Sequence, residues 1–409
     1  MKILLFYGNG SFIESFGGAE KVACGMADAF TRRGWSVGIV CNDLKSGLPA
    51  YPIPSEVKLV NLNGTGKRIG TIPRQLKIGR ELTRPLRPLG VSFFFDRVND
   101  LLLREFTERL EGAIAEFKPD VILPFFVSDL LTVTMCPSAK RIPIVQMLHD
   151  TPKNAIGYPS AVKRKALDRT ACVQVLLESF VPEVQRRCDA EVVVIPNAVP
   201  QFEGQVSYQP KDAYRIINIA RLEPKQKQQH ILIEAFAPLA KEFPNWTLGF
   251  YGADQLGFYG GDPRSSYRLA LEKQIRQLGL ENRIFLEGTT DRVEETLLSA
   301  DIFAFPSAWE GFGIALLEAM RVGLPVVGFC SAPAVNELIR DGENGLLAES
   351  GPAGMRAALR RLMQDAPLRQ KLGKCGRGFA AKFAPENIWD QWETLLTRIV
   401  TRSMENETV

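Results

Sequence analysis

Two carboxylates, Glu310 and Glu318, stand eight residues apart in the stretch Ser307 to Pro325, SAWEGFGIALLEAMRVGLP. Glu310 precedes a helix-like segment, Ile314 to Val322, and Glu318 lies inside it among Leu316, Leu317, Ala319 and Met320. A carboxylate in such apolar company is costly unless something hydrogen-bonds it. A sugar diol suits the task, because two hydroxyls can donate to one carboxylate. Gly311 and Gly313 bracket Phe312 between the two acids and let backbone amides come close to a ligand. The N-terminus of the following helix favours an anion such as phosphate. A second group of charges, Arg221, Lys225 and Lys227, follows the apolar run Tyr214 to Ala220. Two fixed cations at a strand end suit a diphosphate, whose charge grows as it departs.

The elements that must position these groups read as alternating strands and helices. A strand over Lys2 to Tyr7 meets the turn Gly8-Asn9-Gly10, Gly17-Gly18-Ala19-Glu20 opens a helix to about Arg33, and Ser36 to Cys41 is the next strand. This is the opening of a doubly wound α/β domain. The spacing Gly8-x-Gly10-x-x-Ile13 lacks the third glycine of a dinucleotide fingerprint, and Asp43 comes too late for the usual ribose acid, which argues against NAD. Further strands are expected at 119–124, 142–148, 171–178 and 191–195, the second ending in His149-Asp150-Thr151-Pro152. Open α/β sheets place their ligands at such strand ends. The segment Pro200 to Lys211 has linker composition, and a second strand–helix series follows from Tyr214. An amphipathic segment with Trp389 and Trp392 closes the chain, and Ser403 to Val409 read as frayed.

With its flanks, PSAWEGFGIALLEAMRVGLPVV resembles the retaining GT-B glycosyltransferases of family 4. The resemblance extends to the GGAE turn at Gly17 and Gly18, to Pro196-Asn197-Ala198 (where alanine replaces a common glycine), and to Asn344-Gly345-Leu346-Leu347. It implies two Rossmann-like domains facing across a cleft: 1–199 for the acceptor, 212–384 for the nucleotide sugar, and 385–409 as a helix returning to the first domain. It also implies site roles. Glu310 orients the donor sugar with the amides of Gly311, Phe312, Gly313 and Ile314, and Glu318 holds the ribose. Arg221 and Lys227 take the diphosphate with the Gly17-Gly18 turn, with Lys225 the alternative to Lys227 because the spacing from Arg221 is one longer than the family's. His149 contacts the sugar near its reacting carbon. Uridine diphosphate is the nucleotide that family precedent implies. Transfer with retention then proceeds by front-face substitution, the departing phosphate helping to deprotonate the acceptor.

Composition narrows the field. A chain of 409 residues divides naturally into two domains, and 45% hydrophobic with 23% charged residues is ordinary for a globular protein. Seven scattered cysteines without a C-x-x-C pair argue for reduced thiols, hence a cytoplasmic protein. Two histidines and no Asp-x-Asp predict no metal and no cofactor beyond the nucleotide-sugar substrate. A net charge of +4 gives no reason to expect nucleic-acid binding. Yet seven basic residues face one acid, Glu81, between 67 and 87, with Phe93, Phe94 and Phe95 just beyond. Cations beside aromatic residues suit an anionic membrane surface, so 67–104 predicts a peripheral contact on the inner face. Together with second-half wording similar to surface-polysaccharide enzymes, this predicts a glycan or lipid-linked acceptor. The alternatives are the same fold with a small soluble acceptor, and a nucleotide-sugar-binding scaffold without catalysis.

Overall fold

The strand Lys2–Tyr7 (β1) is buried from its second residue to its last. A strand buried at five successive residues must be covered on both faces, which is the habit of parallel α/β sheets. The computed structural model describes residues 1–8, 12–63, 73–89, 93–157, 160–254 and 267–407. Asn9, Gly10, Lys67 and Arg68 lie outside the described residues, as do the side chains of Phe93, Phe94 and Phe95. The chain divides into two compact units, Met1–Ile195 with Trp389–Val409, and Pro196–Ile388.

In the first unit β1 is followed by α1 (Gly18–Arg32), β2 (Ser36–Cys41), β3 (Lys58–Asn61), α2 (Arg74–Thr83), α3 (Phe93–Phe117), β4 (Val121–Pro124) and α4 (Val127–Met135). Then come β5 (Val145–Met147), α5 (Pro152–Ile156), α6 (Ala161–Asp168), β6 (Cys172–Val175), α7 (Val181–Gln185) and β7 (Val192–Val194). The strands pair in parallel in the orders β3-β2-β1-β4 and β5-β6-β7. A bridge between Ile122 and Ile144 joins the two groups, and the buried Gln146 amide donates to Pro124 O at 3.3 Å beside that seam. Strand order reverses between β1 and β4, so the loops after those strands flank the switch point where α/β sheets bind ligands.

The second unit runs β8 (Tyr214–Ile219), α8 (Gln229–Glu242), β9 (Trp246–Tyr251), α9 (Tyr267–Gln277), β10 (Ile284–Gly288), α10 (Val293–Leu298) and β11 (Ile302–Phe305). It continues with α11 (Ile314–Arg321), β12 (Val326–Phe329), α12 (Val335–Leu338), β13 (Leu346–Ala348), α13 (Pro352–Gln364) and α14 (Ala366–Ala380). Its six strands are parallel in the order β10-β9-β8-β11-β12-β13. Here the reversal falls between β8 and β11. The two sequence stretches with the most chemistry, after Ala220 and after Pro306, emerge from those two strands.

Two expectations change. The supposed linker is the edge of the second unit: Val206 N donates to Val322 O at 2.9 Å, and the Tyr208 hydroxyl donates to Gly323 O at 2.6 Å. Pro and Gln content gave it a linker's look, but those hydrogen bonds tie it down. The chain's last helix, α15 (Pro385–Glu407), includes Ser403 to Glu407, residues read as frayed from the sequence. Its Trp392 is 2% exposed, and Arg33 holds Asp390 at 2.6 Å and Glu393 at 2.9 Å, so from Trp389 it belongs to the first unit.

Candidate active site

Lys227 and Glu310 meet at the switch point of the second sheet. Lys227 Nζ lies 2.6 Å from Glu310 Oε1 and 2.8 Å from Oε2, so one ammonium serves both carboxylate oxygens. The two side chains are only 11% and 8% exposed, and Nζ sits 5.7 Å from the centre of the Phe305 ring. Arg221, by contrast, is exposed and forms no ion pair among the described residues. Lys225 is also exposed, so the structure places Lys227 rather than Lys225 against the glutamate.

Three residues that the sequence reading passed over build the loop that carries Lys227. Gln229, fully buried, donates to Arg221 O at 2.8 Å and accepts from Glu223 N at 3.3 Å. Glu223 accepts backbone N–H bonds from Lys225 at 3.2 Å and from Gln226, closing the turn. Gln226 then clips this loop to the next one: its carbonyl accepts from Ala308 N at 2.7 Å and its side-chain amide donates to Trp309 O at 3.1 Å. Gln228 ends the turn with φ of 51°, the left-handed region that few non-glycine residues adopt. No short motif records these contacts, because they run through backbone atoms. The only hint in the sequence is a glutamine-rich string, KQKQQ.

Gly313 caps α11 with φ of 92°, which permits the loop to reverse into the helix. Phe312 anchors that reversal, its ring meeting Phe383 edge-on at 5.4 Å. The N–H groups of Gly311, Phe312, Gly313 and Ile314 donate to no described residue, so the helix begins with open donors at its positive end. Glu318 is buried in the second turn of the same helix, 5% exposed. The Ser307 hydroxyl, at the start of the loop, is buried without a described partner. Gly252 closes the neighbouring β9: a Cβ there would lie 1.9 Å from Ala220 O, just before Arg221.

The first unit holds the other candidates. His149 follows β5 and stacks on Phe125 with ring centres 4.6 Å apart. Both ring nitrogens are out of solvent with no described partner, and burial lowers the imidazole to about 3. It is therefore neutral at physiological pH. Gly17 precedes α1, and the Glu20 carboxylate folds back over it, accepting from Ser15 Oγ at 3.0 Å. A Cβ on Gly17 would sit 2.1 Å from that carboxylate, so the turn already carries an anion at its helix N-terminus. Asp43, discounted as a ribose acid, is a structural staple: its carboxylate accepts from Phe12 N at 2.7 Å and Ile13 N at 2.8 Å. Asp129 was not anticipated. It is fully buried, accepts from Gly8 N at 3.0 Å, and burial raises it well above the usual carboxylate range. Among the described residues no three His, Cys, Asp or Glu side chains group as a metal site would need.

A parallel six-stranded unit that follows a parallel first unit in the chain is the architecture of the GT-B fold. Residues 16–201 match the sequence profile described as Glycosyltransferase Family 4, and residues 201–379 match Glycosyl transferases group 1, so the two matches together span most of the chain. An exopolysaccharide phosphotransferase of Streptomyces coelicolor is 27% identical over 75% of this chain and 31% of its own length. The chain spans about a third of the length of the curated relatives it matches first. An N-acetyl-alpha-D-glucosaminyl L-malate synthase of Bacillus anthracis is 26% identical over 63% of this chain and 68% of its own. The fold is also that of Anabaena HepE in complex with UDP and glucose, with a TM-score of 0.69 at 21% identity, covering 97% of this chain and 99% of that one.

Proposed function

We propose that the protein is a retaining, metal-independent glycosyltransferase that moves a sugar from a UDP-linked donor onto a glycan or lipid-linked acceptor in surface-polysaccharide synthesis. The observation that carries this reading is the cluster at the ends of β8 and β11. There an exposed Arg221, the Lys227–Glu310 pair and the open amides 311–314 supply what a nucleotide diphosphate sugar requires. In this reading Arg221 and Lys227 neutralise the diphosphate as the glycosidic bond breaks. Glu310 accepts from sugar hydroxyls, and Glu318 holds the ribose. In this reading the Gly17-Gly18 turn receives the diphosphate once the Glu20 carboxylate that lies over it has moved aside, and His149 contacts the sugar as a neutral hydrogen-bonding group. The departing phosphate takes the acceptor proton, so no protein nucleophile is needed. UDP is supported by the ligand of the Anabaena structure, and a glycan acceptor by the name of the Streptomyces relative.

A membrane-bound acceptor is supported by α2, where Ile78 and Leu82, one turn apart, are 53% and 73% exposed beside exposed Arg74 and Lys77. Arg80 is less available, since it pairs with Glu81 at 3.1 Å. Among the described residues no helix is long and apolar enough to cross a membrane, so the contact proposed is a surface one on the cytoplasmic face. The Bacillus relative favours a second reading, a small soluble acceptor, because its name carries L-malate. Vesicles containing anionic lipid separate the two. Co-sedimentation lost in Arg74→Glu/Lys77→Glu supports the membrane reading, and no co-sedimentation supports the soluble one.

The donor site itself is tested by thermal melting in chelator against uridine, guanosine and adenosine diphosphates and NAD. The expected result is an upward shift with UDP that Arg221→Ala abolishes. A shift with NAD alone, or with no diphosphate, would sink the assignment.

A further inference from the structure

The two cations of the proposed diphosphate site are not equally available. Arg221 is exposed and unpaired among the described residues, whereas Lys227 is held by both oxygens of a buried Glu310. The loops that carry them are fixed to each other through Gln226, Ala308 and Trp309, so the pair is part of a set framework.

Resting on the donor-site reading above, we propose that donor binding swaps the partners of this pair. The diphosphate takes Lys227 from Glu310, and the freed carboxylate accepts the hydroxyls of the transferred sugar. The intact donor thus supplies a partner for each charge. A nucleoside diphosphate alone supplies one for Lys227 only and leaves Glu310 buried and unpaired, which is strongly unfavourable. After transfer the sugar has left Glu310, the carboxylate reclaims Lys227, and the product nucleotide is held by Arg221 and backbone amides. The pair therefore acts against retention of product, and it makes sugar and diphosphate bind cooperatively at one donor site.

This gives an outcome opposite in sign to that of a simple contact residue. Titration calorimetry in chelator, with uridine, guanosine and adenosine diphosphates, is run on the wild type, Glu310→Gln, Lys227→Gln and the double variant. Glu310→Gln releases Lys227, so it is expected to bind the preferred diphosphate more tightly, on the order of tenfold. Lys227→Gln gives no such gain, and the double variant loses the gain of Glu310→Gln, because the released Lys227 is what the diphosphate takes. Melting curves verify that each variant is folded. Equal or weaker diphosphate binding by folded Glu310→Gln, with the wild type binding, overturns the exchange and leaves the donor site standing. Binding of no diphosphate by wild type or Glu310→Gln overturns the donor site and the exchange together.

Discussion

His149 shows how much a single environment decides. Its pKa is about 3 in the folded chain, against about 6.5 for an unperturbed imidazole. Between those values the unfolded chain binds a proton that the folded chain refuses, so unfolding becomes easier as pH falls through that window. Above about 6.5 the penalty is absent. The slope from this group is at most about 1.4 kcal/mol per pH unit, and His149→Phe should remove it. Denaturant unfolding of both proteins at several pH values between 7 and 4 measures the difference, and curves that stay parallel would contradict the burial argument. The same pKa predicts that rates show no limb near pH 6.5 due to His149. Gln228 is the other telling residue. Its left-handed backbone tolerates glycine and resists a β-branched side chain, so Gln228→Val should lose about 1–3 kcal/mol and Gln228→Gly little or nothing. Because Lys227 N donates to Glu223 O in the same turn at 3.1 Å, the valine variant should also weaken nucleotide binding.

Elements set the frame in which those residues meet. The loops after β8 and β11 could be read from sequence because each follows an apolar run ended by a charge or a proline, at Arg221 and Pro306. Their meeting follows from strand order alone, since β8 and β11 are neighbours on either side of the reversal. Glu223, Gln226 and Gln229 were not legible, because backbone hydrogen bonding leaves no residue-type signature. Asp129 was hidden for a related reason: its contact with Gly8 N joins residues from β1's exit and α4, far apart in the chain. Nor did the reading foresee α13 and α14, which pack with α8 and α11 in the second unit. The β9 exit offers a test at this scale. Gly252 lies so close to Ala220 O that even a methyl group must move backbone, and Arg221 is the next residue. Gly252→Ala should cost about 1–3 kcal/mol of stability and lower UDP affinity, whereas Gly378→Ala, in open space and without a left-handed backbone, should leave affinity unchanged. Melting and calorimetry on the pair decide it, and equal UDP affinity in the two would show that the β9 exit does not position Arg221.

For the whole molecule, the informative feature is that the first unit is discontinuous. Its last part, from Trp389, comes after the entire second unit in sequence. That segment is no surface strap. Trp392, Leu395, Leu396, Ile399 and Val400 are buried, Trp389 meets the Phe30 ring at 6.1 Å, and Arg398 holds Glu191 at 2.7 Å. The apolar contacts dominate, because the ion pairs at Arg33 and Arg398 are partly solvent-exposed and contribute about 1 kcal/mol or less each. Truncating a buried tryptophan typically costs about 3–5 kcal/mol, a large share of a unit's stability. Trp392→Ala should therefore unfold the first unit well before the second, although the substitution lies at the far end of the chain. Limited proteolysis with fragment mass analysis reads this directly: early cuts should fall within 1–195 while 196–388 survives. Arg33→Ala, which removes only the ion pairs, should leave the digestion pattern close to wild type. Early cuts in the second unit, or the same pattern from both variants, would mean that this helix does not complete the first unit's core.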